Sequence, residues 1–199
     1  MAFQINSRPA AFYKMQTFEA EHPVEGSVSL RVAILSPRYN LANLGVAIEE
    51  VLMPVVRRIQ PFGQHYDNYS VSSGVLSTKT IDDKQRLVLT TGNNVKLQEG
   101  ICPWKVCSEE VSIGTAELFE VDKIWAIGVA AVRKIDDESG ISRPQLPPCG
   151  DCRTRLYDNV LIDMQTQFVL ENTAGEQELL DLQVIKTRFG YISDLSIAA

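Results

Sequence analysis

The sequence predicts an α/β protein in which a mixed β-sheet lies between layers of helices. Segments with the period of an amphipathic helix alternate with short segments rich in β-branched residues, in the order helix, strand, strand, helix, strand, helix, strand. Hydrophobic residues make up 45% of the 199 residues and charged residues 22%, which is the balance of a folded globular protein. We therefore predict an N-terminal extension over residues 1–40 and one domain over residues 41–199.

The N-terminal part of the chain predicts an arm, a strand and a long helix. Residues 1 to about 27 show no sustained period and predict an irregular arm, whereas the near alternation of "VSLRVAIL", 28–35, predicts a strand. Between Leu41 and Ile59 the apolar residues recur at spacings of three and four, which predicts an amphipathic helix. Proline lacks the backbone N–H that a helix interior uses, so we expect Pro54 to kink or split this helix.

The remaining segments predict the rest of the sheet and two more helices. Two β-branched runs around a polar turn predict a hairpin, and a later apolar run predicts a buried strand. One helix is predicted to begin with an acidic turn and another behind two prolines. In chain order the segments are strands 69–77 and 86–95, a helix in 107–121, strand 123–132, a helix in 149–160 and strand 166–172.

Net charge and the lengths of the apolar runs disfavour nucleic-acid-binding, membrane-spanning and secreted proteins. The net charge of −6 disfavours a dedicated nucleic-acid binder. The longest apolar run, "WAIGVAAV" at 125–132, is too short to cross a bilayer, and the first residues lack the apolar core of a signal peptide. We therefore expect a cytoplasmic protein with no membrane or nucleic-acid partner. The chain has four cysteines, and in a reducing compartment persistent disulfides are rare, so clustered thiols are expected to bind metal or do chemistry.

Three cysteines and one glutamate are the candidate functional residues. Cys149 and Cys152 form a C-x-x-C pair, which alone fits a redox couple, half of a disulfide framework or half of a metal site. Cys107 stands two residues before Glu109 at a predicted helix start. Its distance from Cys149 along the chain allows one strand and one loop between two helices whose N-termini converge. Three thiols and one carboxylate are expected to meet there.

Other interpretations of these residues remain open. Zinc binds thiolates tetrahedrally, and a closed structural site would need a fourth ligand, for which Cys102 is the candidate. A catalytic site keeps the fourth position open, and the offset of Glu109 from Cys107 favours that reading. A thioredoxin-like redox pair is disfavoured because no βαβ context precedes it. Glu110 is interpreted as a carboxylate that stabilises the helix dipole.

The motifs resemble those of a known family. "CSE", 107–109, and "PCGDCR", 148–153, are similar to the C-A-E and P-C-G-x-C-R motifs of the cytidine deaminase family. "NYSVSSGVLS", "TTGNNV" and "LLDLQVIKTRFGY" resemble, in the same order, the family's F-x-V-G-A-A-L strand, T-G-x-N-V-E-N strand and L-L-P-x-x-F-G ending. The resemblance spans about residues 66 to 191, and its zinc motifs are the most specific part.

The resemblance implies a three-layer αβα cytidine-deaminase-like fold and a catalytic zinc ion. Cys107, Cys149 and Cys152 would be the zinc ligands, and Glu109 would be the general acid/base that shuttles protons. Arg153 would draw electron density from the neighbouring Cys152 thiolate. The implied reaction is hydrolytic deamination of a cytosine-type nucleoside with release of ammonia. Relatives of this type are homo-oligomers, so a homodimer or homotetramer is expected.

The resemblance also implies a set of substrate-binding residues, with one departure from the family. The set is Tyr69, Asn94, Lys96 and Ser108. Lys96 stands where the family has a glutamate that binds a ribose hydroxyl, and a cation there favours a carboxylate or phosphate on the sugar. One alternative is therefore a deaminase of a modified or anionic cytosine nucleoside, such as a nucleoside antibiotic of the blasticidin S type, or of another aminated heterocycle. A second alternative is a non-catalytic, zinc-stabilised binding protein of the same fold.

Overall fold

The computed structural model describes residues 13–22, 26–60, 69–96, 105–133, 148–172 and 174–189. Within these ranges the strands are β1 Tyr13–His22, β2 Gly26–Leu35, β3 Tyr69–Ile81, β4 Lys84–Asn93, β5 Val95–Lys96, β6 Lys105–Val106, β7 Lys123–Arg133, β8 Gln167–Glu171 and β9 Gln177–Asp181. The α-helices are α1 Leu44–Ala47, α2 Met53–Ile59, α3 Ser108–Leu118, α4 Gly150–Asp158 and α5 Leu182–Phe189. None of the helices in these ranges is both long and apolar enough to cross a bilayer.

Seven strands form one mixed sheet in the order β1-β2-β4-β3-β7-β8-β9. Its neighbouring strands are antiparallel except for β7 and β8, which run parallel. The short strands β5 and β6 pair with each other in a separate two-stranded ladder. The mixed sheet that the sequence predicts is therefore confirmed.

Helices cover both faces of the sheet. Because successive side chains of a strand point to opposite faces, Val75 and Leu76 of β3 enter two different hydrophobic cores. The first core contains Ile113 of α3 and Leu156 of α4, and the second contains Leu52, which directly precedes α2. Helices α3 and α4 thus pack on one face and α2 on the other, which confirms the predicted three-layer αβα arrangement.

The predicted long helix is divided in front of Pro54. A π-helical turn, Ile48–Leu52, lies between α1 and α2, and the Met53 N–H bonds to the Ile48 carbonyl, five residues earlier. Pro54 stands in the first turn of α2, where its missing N–H is tolerated. The wider π turn therefore separates the proline from the regular ladder of α1, which confirms the predicted split.

The N-terminal part of the chain differs from its prediction. Residues 13–22, expected to be part of an irregular arm, form β1 and pair along their whole length with β2, from Tyr13 opposite Leu35 to His22 opposite Gly26. Strand β1 has one neighbour and lies at the edge of the sheet, so its sequence "YKMQTFEAEH" does not need the apolar pattern of a central strand. The strand predicted over 28–35 is confirmed and extends over 26–35.

The predicted β-hairpin is confirmed as β3 and β4. A two-residue turn joins them, and its central residues Asp82 and Asp83 have φ angles of 49° and 58°. Positive φ at both central positions is the requirement of a type I′ turn, which matches the twist of antiparallel strands. The register runs from Ile81 opposite Lys84 to Ser72 opposite Asn93.

Candidate metal centre

The three candidate thiols lie at the N-termini of α3 and α4. Cys107 is the N-cap residue of α3, Cys149 is the N-cap residue of α4, and Cys152 lies in the first turn of α4. All three Sγ atoms lie within 4.8 Å of one another, and those of Cys107 and Cys149 are 3.4 Å apart. The convergence of two helix N-termini on one cluster of thiols, predicted from the spacing of the cysteines, is therefore confirmed.

The spacing of these sulfur atoms fits a tetrahedral metal ion. Thiolates bound to zinc at about 2.3 Å in tetrahedral geometry lie about 3.8 Å from one another. The observed 3.4 Å separation and the 4.8 Å limit for the whole cluster bracket that value. Cys149 is exposed and Cys152 is buried, so the cluster faces solvent on one side. Cys102, the alternative fourth ligand, lies outside the described residues.

The proximity of the thiols couples their protonation. Hydrogen bonds from Cys107 and Cys152 lower the pKa of the Cys149 thiol to about 2. The hydrogen bond to Cys149 raises the pKa of Cys107 to about 12, and the same kind of contact raises the pKa of Cys152. The contacts among the three sulfur atoms thus favour the thiolate form of Cys149. A thiophilic dication would take the place of the thiol protons, because metal ions bind the thiolate form.

Glu109 is a buried carboxyl group next to the thiols. It is 5% exposed, and one of its carboxylate oxygens, Oε2, accepts a 2.8 Å hydrogen bond from the Ser108 hydroxyl. Burial raises the pKa of Glu109 above that of an ordinary glutamate, since an apolar environment disfavours the charged form. A carboxyl group with a raised pKa is a stronger base than an ordinary glutamate and can give back the proton that it accepts.

A network of buried hydroxyl groups attaches the first turns of α3 to the sheet. Thr90 of β4 donates to the Ser112 carbonyl at 2.7 Å, and the Ser73 hydroxyl of β3 lies 2.7 Å from the Ser112 hydroxyl. Ser112 donates in turn to the Glu109 carbonyl at 3.2 Å. The backbone that carries Glu109 is therefore tied to two central strands. No motif in the sequence points to these hydroxyl groups.

A glycine in β4 allows α3 to approach the sheet at this point. A Cβ atom at Gly92 would lie 2.3 Å from the Ser108 carbonyl oxygen and 2.8 Å from the Ser112 nitrogen. Both are backbone atoms, which cannot rotate away as a side chain can. Ser108 lies between Cys107 and Glu109 in the chain. The close contact at Gly92 therefore fixes the backbone that carries both candidate functional side chains.

Two of the four predicted substrate-binding residues have described side chains. Asn94 follows β4, is 8% exposed, and accepts a 2.9 Å hydrogen bond from the Val71 N–H through its Oδ1 atom. The Ser108 hydroxyl bonds to Glu109. Each side chain thus holds a structural partner within the protein, and contact with a substrate stays a prediction.

The other two, Tyr69 and Lys96, are described through their backbone. Tyr69 begins β3 and pairs with Arg133 of β7. Lys96 lies in β5 opposite Lys105 of β6, two residues before Cys107. The β5–β6 ladder therefore places the backbone of Lys96 beside the segment that leads into the metal centre.

Arg153 contacts the backbone in front of α4. Its Nη1 atom donates a 2.8 Å hydrogen bond to the carbonyl of Pro148, the residue before Cys149. The contact holds the segment that presents the Cys149 thiol. The predicted effect of Arg153 on the Cys152 thiolate stays a prediction.

A cavity of about 330 Å³ lies between α3 and α4 and reaches the centre. Glu109, Ile113, Cys152 and Thr154 are among the residues that line it. This volume is at the lower end of the range for small-molecule sites. The buried carboxyl group and one candidate ligand are thus reachable from a concave surface.

Comparison with known proteins relates this chain to one fold. No protein-family model matches the sequence, and no curated protein matches it significantly. Cytidine deaminase from Burkholderia pseudomallei superposes with a TM-score of 0.50 and 18% identity, covering 68% of this chain and 94% of that one. Cytidine deaminase from Mycobacterium leprae gives a TM-score of 0.43 and 16% identity over 70% and 95% of the two chains. The likeness to the Burkholderia structure confirms the predicted cytidine-deaminase fold.

Proposed function

We propose that this protein is a zinc-dependent hydrolytic deaminase that converts a cytosine-type nucleoside to its uracil form and releases ammonia. The observation that carries the proposal is the meeting of three thiols and the buried Glu109 at two helix N-termini. Cys107, Cys149 and Cys152 would hold the zinc ion, which when bound supplies Lewis-acid activation of water. The cytidine-deaminase fold supports the same reaction class.

Glu109 would move the protons of this reaction. Its carboxylate accepts a proton from the attacking water and donates it to the ring nitrogen, and a second transfer protonates the amino group that leaves as ammonia. The hydrogen bond from Ser108 orients the carboxylate and stabilises it while it is charged. Because Glu109 lines the cavity, its proton can pass directly to a substrate bound there.

The helix N-termini would offset the charge of the ligands. Three thiolates and one zinc dication carry a net charge of −1, which weakens the metal as a Lewis acid. The free amides at the start of α3 and α4 carry partial positive charge, and the Cys152 N–H lies 3.4 Å from the Cys149 sulfur. This arrangement favours thiolates at both N-caps.

The position of Lys96 supports an anionic sugar as a second candidate substrate. Its backbone lies opposite Lys105, close to the segment that leads to Cys107, where the resemblance places a sugar-binding glutamate. A lysine attracts a carboxylate or phosphate on the sugar and does not accept a hydrogen bond from a ribose hydroxyl. We therefore extend the proposal to cytosine nucleosides that carry such a group.

Ammonia release from four compounds tests these proposals. The zinc-loaded protein is expected to act on at least one of cytidine, deoxycytidine, cytidine monophosphate and a cytosine nucleoside with a sugar carboxylate. If the anionic compounds are preferred, we compare kcat/KM for the anionic compound with kcat/KM for cytidine. Lys96→Glu should change this ratio in favour of cytidine by about tenfold or more, because a charge-assisted hydrogen bond is lost. Lys84→Glu, at the first residue of β4 and far along the chain from Lys96, controls for the change in net charge.

The outcomes separate the candidate functions. An unchanged preference in Lys96→Glu would contradict the role of this lysine. Ammonia release from cytidine and deoxycytidine that equals or exceeds release from the anionic compounds would instead indicate ordinary cytidine deamination. If the zinc-loaded protein releases no ammonia from any of the four compounds, the result would contradict these nucleosides as substrates and favour either another aminated heterocycle or the zinc-stabilised binding protein.

A further inference from the structure

One carboxylate links the two helices that carry the candidate ligands. The Cys107 N–H donates a 3.0 Å hydrogen bond to one oxygen of Glu110, Oε2. The other oxygen, Oε1, lies 3.1 Å from Nε of Arg155. Arg155 belongs to α4 and follows Cys152 by three residues, so it lies about one helical turn away. Glu110 thus connects the backbone of one candidate ligand to the helix that holds the other two.

We propose that the ion pair between Glu110 and Arg155 positions the three thiols for metal binding. This inference rests on the metal centre of the proposed function and assigns a role to two residues outside the ligand set. The pair joins α3 to α4. These are the two helices whose N-cap thiols, Cys107 and Cys149, have Sγ atoms 3.4 Å apart. Glu110 therefore does more than stabilise the helix dipole, which is the role that the sequence predicts for it.

Partial burial of the Glu110 carboxylate makes this contact stiffer than an ordinary surface pair. The Glu110 side chain is 16% exposed, whereas that of Arg155 is 69% exposed. Because Glu110 is also held by the Cys107 N–H, its carboxylate is fixed before Arg155 binds. Exposed ion pairs contribute little to the stability of a fold. We therefore expect the pair to affect the position of α4 and its thiols more than the free energy of unfolding.

A second contact between the same helices provides a matched control. At the other end of α3, Oε1 of Glu117 accepts a 2.6 Å hydrogen bond from the side-chain amide of Asn159, the C-cap residue of α4. Glu117→Ala removes a carboxylate that joins α3 to α4 but lies two turns away from the thiols. If the two helices were merely loosened, zinc affinity would fall both in Glu117→Ala and in a variant that breaks the Glu110–Arg155 pair. If the pair positions the thiols, zinc affinity would fall only in the second of these variants.

Zinc affinity, measured by competition with a chromophoric chelator, tests the proposal. We expect Arg155→Met to weaken zinc binding by about tenfold, since residues that orient metal ligands typically change affinity by 10- to 100-fold. Arg155→Lys should recover part of the loss, because it keeps the charge but not the planar fork. Glu117→Ala should stay within about twofold of the parent protein. The cobalt-substituted protein should show altered thiolate-to-cobalt absorption in Arg155→Met and not in Glu117→Ala.

A double variant completes the test. Glu110→Gln keeps an acceptor for the Cys107 N–H and loses the charge, so Arg155→Met should add little to it if the two residues act as a pair. Unchanged zinc affinity in Arg155→Met, or an equal loss in Glu117→Ala, would overturn the proposal. Affinity is measured without substrate, so a protein that shows the expected pattern but releases no ammonia keeps this inference and loses the proposed function.

Discussion

Glu109→Gln is expected to reduce kcat for ammonia release by about 10²- to 10⁴-fold, the range that a general acid/base contributes. Glutamine has the shape of glutamate and can still accept the hydrogen bond from Ser108, but it cannot carry a proton. Burial disfavours the charged carboxylate, so the neutral amide should fit the site without loss of stability. The expected result is an inactive protein that remains folded and holds its metal.

The measurement compares ammonia release, zinc content and thermal midpoint in the same preparations. Glu120→Gln, at an exposed position just after α3, is the matched control and should retain the parent rate. If Glu109→Gln kept more than about a tenth of the parent kcat, the carboxyl group would not be the proton shuttle. A variant that lost its zinc would instead show that Glu109 helps to build the centre.

Gly92→Ala is expected to reduce both stability and activity, although it adds a single methyl group. The new Cβ would lie 2.3 Å from the Ser108 carbonyl oxygen and 2.8 Å from the Ser112 nitrogen, so α3 must move away from β4. Overpacking of this kind costs about 1 to 3 kcal/mol in the free energy of unfolding. Cys107 and Glu109 flank Ser108, and a displacement of about 1 Å can lower the rate by about 100-fold.

Denaturant unfolding and kcat check this prediction against a second glycine. A Cβ atom at Gly45, in α1, would meet no atom within 4 Å, so Gly45→Ala should leave both quantities near those of the parent or raise stability slightly. The close contact at Gly92 would be refuted if the two variants unfolded at the same denaturant concentration with unchanged kcat.

Local and regularly spaced signals made most of the fold predictable from the sequence. The β3–β4 hairpin has β-branched strands on both sides of a polar turn, and these are short-range signals. The cluster of Cys107, Cys149 and Cys152 was predictable for a different reason. The chemistry of a metal site fixes residue types at short spacings, and two helix starts then limit where the thiols can lie.

Features that depend on distant partners were not predictable in this way. Strand β1 is defined by its pairing with β2 and carries little pattern of its own. Strand β9 passes directly into α5, where Asp181 ends the strand and accepts a 2.7 Å hydrogen bond from the Val184 N–H. When a helix follows a strand without a loop, no turn residues mark the boundary. The two hydrophobic periods then overlap, and the sequence pattern indicates neither element clearly.

The same limit applies to parts of the candidate site. Ser73 and Ser112 lie 39 residues apart in the chain, and nothing in their sequence context distinguishes them from surface serines. Arg155 resembles any helical arginine until its contact with Glu110 is known. These supporting residues are recognised from contacts across elements and not from motifs.

Titration of the metal-free protein with zinc, followed by both ammonia release and alkylation of individual cysteines, tests the central claim most directly. The account predicts that activity rises in proportion to zinc and saturates at one ion per chain. Over the same range Cys107, Cys149 and Cys152 should become protected from alkylation, as read from the masses of their peptides. Ammonia release that is independent of zinc, or zinc binding that leaves these three thiols reactive, would contradict it.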